Sequence, residues 1–382
     1  MAPANHAELL VVGGGIIGLS VAWRARQAGI GVCLLERGVP GEGTSRVAAG
    51  MLAPVAEVEF GDAGQALLEL GLRSAALWPS FAAELARASG LEIPLRRTGT
   101  LLLARDEDEA LELERQLEFR RSLGLPVERL RASEARRREP ALAPTLRLAL
   151  EAPDDHAVDP RPVLAALRRA CALAGVEIRE RTPVRGVVVE HGRLGGVSLA
   201  DGRLIEAPTV VLACGPWTAG LEGLGGALPP VRPVKGQILR LRDPLGPGLL
   251  SRVIRFAGGY VVPRGDGAYV LGATVEERGF ELGATAGGVY ELLKEAHELL
   301  PGVAELEIEE LAAGLRPGTP DNLPAIGPGA AEGLIWATGH HRNGILLAPL
   351  TAELILGLLR DGTQALPAAC DPGRFAAAEV PA

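Results

Sequence analysis

One stretch constrains this chain more than any other: Leu9 to Arg37, LLVVGGGIIGLSVAWRARQAGIGVCLLER. The apolar run Leu9 to Val12 predicts a buried strand, and the glycines follow it directly as Gly13-x-Gly15-x-x-Gly18. In a dinucleotide fold the first glycine permits a tight turn and the second lets the backbone approach a pyrophosphate. The third lets the helix pack closely on the strand. The helix that follows offers backbone N–H groups and a positive dipole end to phosphate. Ile17, Val21 and Ala25 give it one buried stripe. A second strand, Val32 to Leu35, ends at Glu36, about 20 residues past the glycines, where a ribose hydroxyl needs an acceptor. The same acid would repel a 2′-phosphate. A lone glycine motif is weak, but strand, turn, helix, strand and acid in register predict a nucleotide site. The motif leaves open whether that nucleotide is NAD or FAD.

A chain of 382 residues exceeds one small core and predicts two domains. Its net charge of −8 provides no basic footprint for nucleic acid. Cys33, Cys171, Cys214 and Cys370 are far apart, lack metal-site spacing, and read as small core residues. Asp154-Asp155-His156 reads as a loop, because three adjacent residues rarely converge on one ion; no metal is expected. Met1 to Ala7 lacks a positive leader region. The apolar run Ile345 to Leu359 is interrupted by Glu353 and is too short to span a bilayer. The expectation is a soluble, cytoplasmic protein.

After Glu36, three glycines and a proline predict a loop, and Thr44 or Ser45 is placed to cap a short helix before Val47-Ala48-Ala49-Gly50-Met51. Asp62 to Ser89 has helical periodicity, Thr98 to Ala104 reads as a strand, and Asp106 to Leu123 as an exposed helix. A strand at Leu146 to Ala152 precedes a helix from Asp159-Pro160 to Ala174, then strands at Val176 to Ile178 and Val184 to Glu190. A hairpin turning at Asp201-Gly202 leads to the apolar strand Thr209 to Leu212 and to Gly215-Pro216-Trp217, which suits the centre of a parallel sheet. The pattern then changes. Val231–Leu241, Ser251–Phe256, Tyr260–Arg264 and Ala268–Thr274 predict an antiparallel sheet inserted into the α/β domain, with Glu310–Arg316 ending it. Leu334–Gly339 returns to the first sheet, and Asn343–Leu359 predicts a buried helix.

Several segments now combine: GGGIIG with Glu36, Thr44-Ser45 with Ala49-Gly50-Met51-Leu52, Pro233-Val234-Lys235-Gly236-Gln237, and Tyr260-Val261-Val262-Pro263-Arg264. To these are added Gly272 to Glu277, Gly314-Leu315-Arg316-Pro317-Gly318-Thr319-Pro320-Asp321 and Gly339-His340-His341-Arg342-Asn343-Gly344-Ile345-Leu346. In this order they resemble the D-amino-acid-oxidase family of FAD amine oxidases, and within it the glycine oxidases of thiamine biosynthesis. The last two segments are the specific ones. The resemblance implies an α/β FAD-binding domain, Rossmann-like, interleaved with an α+β substrate domain on an antiparallel sheet. The expected division is 1–85, 146–220 and 316–382 for the FAD domain, and 86–145 and 221–315 for the substrate domain.

An amino acid must be held by its carboxylate, and an arginine fork is the best grip. Arg316 stands at a strand end, and the resemblance makes it the clamp, with Tyr260 donating its hydroxyl to the same carboxylate. Arg342 and Met51 complete the expected substrate contacts, with Tyr260, Arg316 and Arg342 as the catalytic set. FAD contacts are expected from Gly13, Gly15, Ile16, Ile17, Gly18, Glu36, Arg37, Thr44, Ser45, Ala49, Gly50, Met51 and Val184. Gly215, Trp217, His340, His341, Arg342, Asn343, Gly344, Ile345 and Leu346 are expected to supply the remainder. No cysteine lies between Cys214 and Cys370, so the FAD is expected to be non-covalent. The implied reaction moves a hydride from glycine, sarcosine or D-alanine to FAD, with O2 reduced to H2O2. The imine from glycine then hydrolyses to glyoxylate and ammonia or passes to thiazole synthase. Homo-oligomers are expected, and neither nucleic acid nor membrane is an expected partner. The rival expectations are an oxidase or dehydrogenase for sarcosine, D-proline or larger D-amino acids, and an FAD-binding protein without turnover.

Overall fold

The computed structural model describes residues 7–224, 228–361 and 366–375. The N-terminal residues before Ala7, read above for a leader, and the last residues of the 316–382 segment lie outside them. Leu9–Val12 forms the centre of a six-stranded sheet, pairing in parallel with Val32–Leu35 on one side and Thr209–Leu212 on the other. Glu177–Arg179 and Leu334–Thr338 extend it in parallel, and Ala325–Pro328 closes one edge antiparallel. Leu9–Val12 and Val32–Leu35, at the centre, are apolar throughout because both faces of the sheet are covered there. Leu9, Val11, Val32, Leu34 and Val211 pack against the helices Ile16–Gln27, Asp62–Ser89, Pro160–Ala174 and Gly344–Asp361. Leu10, Val12, Cys33, Leu35 and Val210 face the small sheet of Val184–Glu190, Arg193–Leu199 and Leu204–Glu206.

The helix Gly344–Asp361 is longer than the apolar run suggests, and by length and composition it is sufficient to cross a membrane. Its surroundings are those of a core helix: Ile345 to Ala348, Leu350, Leu354 and Ile355 are buried against the first helix and Asp62–Ser89.

The second large sheet has eight strands: Glu307–Gly318, Arg232–Arg242, Ala268–Gly272, Gly259–Pro263, Val253–Phe256, Thr100–Ala104, Leu148–Ala152 and Glu128–Arg131, in that order. All neighbours are antiparallel except Val253–Phe256 with Thr100–Ala104. One face packs Leu239, Val261 and Leu271 on the helix Ala286–Leu299, which the sequence pattern did not announce. The other turns Ile238, Tyr260, Val262 and Val270 towards Ala49 and Met51. Period-two alternation thus aims Tyr260 away from the helix-covered face.

Three expected boundaries fall elsewhere. The helix Asp62–Ser89 runs through residue 85, Leu148–Ala152 belongs to the eight-stranded sheet although it follows residue 146, and Glu307–Gly318 continues past 315. A strand pattern specifies a strand, not the sheet that takes it. Met51–Leu52 and Leu95–Arg96 flank His156–Val158 in a further small sheet, so His156 is a strand residue and not part of a loop.

Candidate active site

The C-terminal ends of Leu9–Val12, Val32–Leu35 and Thr209–Leu212 open onto a cavity of about 1510 Å³, whose far wall is the Tyr260 face of the eight-stranded sheet. The crevice beyond the carboxyl ends of such strands is where open α/β sheets bind ligands.

At one end, Gly13 has φ +104°, and a Cβ there would lie 2.4 Å from the Ala213 carbonyl oxygen. A Cβ on Gly18 would lie 1.9 Å from the Gly13 oxygen. Gly18 therefore allows close packing of turn and helix, and does not itself line the cavity. Glu36 Oε2 accepts the Gly14 N–H at 2.6 Å and Oε1 accepts that of Gly38 at 2.8 Å. Its carboxylate is fixed at the cavity rim, with lone pairs left for a ribose hydroxyl. Arg37 lies 3.7 Å over the Trp217 ring, and Trp217 stacks on Phe280 with centroids 6.4 Å apart.

Thr44 and Ser45 do not cap their helix, which runs Thr44–Val47 with Gly43 at its N-terminal cap position. Ser45 Oγ instead accepts the Ile16 N–H at 3.0 Å, supplying the first helix with a hydroxyl that Gly15 cannot offer. Thr44 Oγ1 donates to the Leu315 carbonyl at 2.9 Å, fixing the loop to the strand that carries Arg316. Ala49, Gly50, Met51, Val184 and Gly215 all line the cavity.

At the other end, Arg316 pairs across the sheet with Val234, and Tyr260 with Arg255 and Gly272. Arg316 Nη1 donates to the Lys235 and Thr274 carbonyls at 3.3 and 3.1 Å, and among the described residues no carboxylate forms an ion pair with it. Burial pulls its pKa down, with Tyr260 and Glu57 opposing. The Tyr260 phenol is pushed above its ordinary value by burial, so it is a neutral donor. Two glycines make the space. A Cβ on Gly236 would lie 2.5 Å from an Arg316 guanidinium nitrogen, and one on Gly272 would lie 2.6 Å from the Tyr260 hydroxyl.

Arg342 lines the cavity and is ion-paired with Glu59. His341, at φ +44°, and His340 precede the helix Gly344–Asp361. His340 is buried with Nε2 3.0 Å from Thr351 Oγ1. Burial holds both imidazoles down to about 3, with Arg342 and Arg316 adding to the effect at His341. Gly344 and Ile345 line the cavity, but Asn343 and Leu346 do not. Leu346 is turned into the core, its carbonyl accepting from Ser74 Oγ at 2.6 Å and Trp78 Nε1 at 3.0 Å.

Sequence reasoning missed Glu57 and Arg255, both on the cavity wall. Arg255 alone carries charge in the apolar strand Val253–Phe256, which is a legible signal; Glu57 follows Ala53-Pro54-Val55-Ala56 with none. Asp155 was missed too. It is buried, and it accepts the Val55 and Ala56 N–H groups at 3.1 and 2.6 Å. Burial pushes it up to about 7 against those two donors and Arg120.

The cavity suits a long dinucleotide. It runs without interruption from Glu36 and Arg37, past the N-terminus of the first helix, to His341, Arg342 and the start of Gly344–Asp361. Over residues 8–358 the chain matches the family described as FAD dependent oxidoreductase (DAO). It is 37% identical over 357 residues to a glycine oxidase of Geobacillus kaustophilus, covering 93% of each chain. It is 36% identical over 360 residues to the bifunctional protein ThiO/ThiG of a Synechocystis species, covering 93% of this chain and 52% of that one. The crystal structure of glycine oxidase from Geobacillus kaustophilus superimposes with a TM-score of 0.90 at 35% identity, over 97% of this chain and 99% of that one. The chain belongs to the FAD dependent oxidoreductase family.

Proposed function

We propose that this protein is a glycine oxidase: it binds glycine or a similarly small amine acid against non-covalent FAD and oxidises it at Cα. The observation that carries this reading is Arg316, a half-buried guanidinium beside a neutral Tyr260 with no carboxylate partner among the described residues. A substrate carboxylate completes it. Bound FAD supplies acceptance of the Cα hydride and return of the electrons to O2 as H2O2. The chain does the rest. Arg316 and Tyr260 fix the carboxylate, Met51 and Arg342 bound the space, and the imidazoles near 3 are too weak as bases to take a proton from an ammonium. Released imine hydrolyses to glyoxylate and ammonia, or passes to thiazole synthase; the ThiO/ThiG relative, about half of which this chain spans, supports that link to thiamine biosynthesis. Cytoplasmic location and homo-oligomeric assembly belong to the same reading.

The purified protein should be yellow and should release H2O2 with glycine, sarcosine and D-alanine. D-Proline or a bulky D-amino acid outpacing glycine by orders of magnitude overturns the substrate assignment. Turnover only with an artificial acceptor makes it a dehydrogenase.

A further inference from the structure

Glu57 reaches the cavity wall at the end of a peptide held rigidly from three sides. Asp155 accepts the N–H groups of Val55 and Ala56. Arg120 donates from Nε to the Val55 carbonyl and from Nη2 to that of Ala56, both at 2.9 Å. Arg255 Nη1 adds a second donor to the Ala56 carbonyl at 2.8 Å. None of these bonds uses the Glu57 side chain, so a costly buried clamp ends in a carboxylate that it orients but does not consume. That carboxylate is largely covered, 11% exposed, and its contact with protein is the Arg255 guanidinium at 3.5 Å, too long for a good hydrogen bond. Arg255 is the direct cross-strand partner of Tyr260. Facing pairs of this kind stand about 5 Å apart at Cβ, so Glu57 sits beside the Tyr260 end of the cavity. Its charge is felt by both Tyr260 and Arg316.

We propose that Glu57 determines specificity by accepting hydrogen bonds from the substrate's amino group while Arg316 and Tyr260 take its carboxylate. The inference rests on the amino-acid-oxidase reading and adds a recognition element for the other end of the same molecule. A cavity with a cationic and an anionic wall selects zwitterionic α-amino acids over plain carboxylic acids of equal size. Arg255 is a positioning residue: it holds Glu57 without quenching its acceptor capacity.

The test compares glycine with acetate, which offers the carboxylate and no amine. Replacing a charged acceptor by a neutral one costs the ligand that used it about tenfold to a hundredfold. Glu57→Gln should therefore raise the KM for glycine by at least about tenfold while the competitive Ki of acetate moves less than twofold. Glu57→Asp, which keeps the charge, should recover part of the loss. Equal changes for glycine and acetate, no change for either, or an Asp variant no better than Gln would overturn the proposal. The two readings fail separately. A flavin-loaded wild type that turns over no amino acid removes the oxidase reading. A wild type that oxidises glycine, with an unaltered KM in Glu57→Gln, removes Glu57 alone.

Discussion

Arg316 has its place because Gly236 beside it has no side chain, and Gly272 makes the same room for Tyr260. Truncating one partner of a buried charged hydrogen-bonded pair costs about 2–5 kcal/mol. Arg316→Ala should therefore raise the KM for glycine by a factor of about 30 or more, read by peroxide release. Gly236→Ala should do comparable damage without touching the arginine, since its Cβ would stand 2.5 Å from the guanidinium. An alanine at 236 with wild-type KM would show that Arg316 binds in another rotamer. The histidines make a prediction about acid. His341 has a folded value near 3, below the ordinary 6.5. Between those values the unfolded chain binds a proton that the folded chain refuses, so stability is fully present above about 6.5 and declines as pH falls. The share of one such group is at most about 1.4 kcal/mol per pH unit. His341→Phe should flatten the acid limb by up to that amount, measured by urea unfolding at several pH values from 7 to 4. An unchanged slope would mean that His341 titrates normally in the folded protein.

Among the elements, the first two strands were legible to the residue, and the helix between them was legible as a helix, because glycine turn and apolar strand specify each other. Asp62–Ser89 was legible at both ends for a different reason: sustained 3.6-residue periodicity and a left-handed Gly90 that stops it. The turn–helix contact is also an unforgiving one. Gly18→Ala would place a methyl 1.9 Å from the Gly13 carbonyl oxygen, so the helix must move off the strand. The expected outcome is protein that no longer retains FAD through gel filtration, with the visible flavin bands lost; normal retention would mean that the turn relaxes. Less of the site was legible. Glu57 owes its place to Asp155, Arg120 and Arg255, which lie about one hundred, sixty and two hundred residues along the chain. No local pattern encodes such a meeting. Ser45 was singled out for a cap on its own helix and serves another, because which N–H a hydroxyl meets is decided by packing.

On the scale of the molecule, the cavity lies between two sheets, and what fills it joins them. Binding to the folded state alone stabilises it by about 2.7 kcal/mol at one hundred times Kd. Stripping FAD should lower Tm by several degrees, and re-addition should restore it in step with concentration, followed by calorimetry. A Tm indifferent to FAD would mean that the two sheets do not depend on the cavity's occupant. The order of the eight-stranded sheet has a further effect. Glu307–Gly318, whose far end carries Arg316, is an edge strand, and its outer row of backbone groups is a template on which another chain could extend the sheet. Its exposed half bears Glu307, Glu309 and Glu310 among Ile308 and Leu311. Two copies meeting along that edge would bring the Glu307 carboxylates together and crowd the ion pairs of Glu309 with Arg242 and of Glu310 with Arg161. The strand that carries Arg316 is thereby guarded against strand-to-strand aggregation.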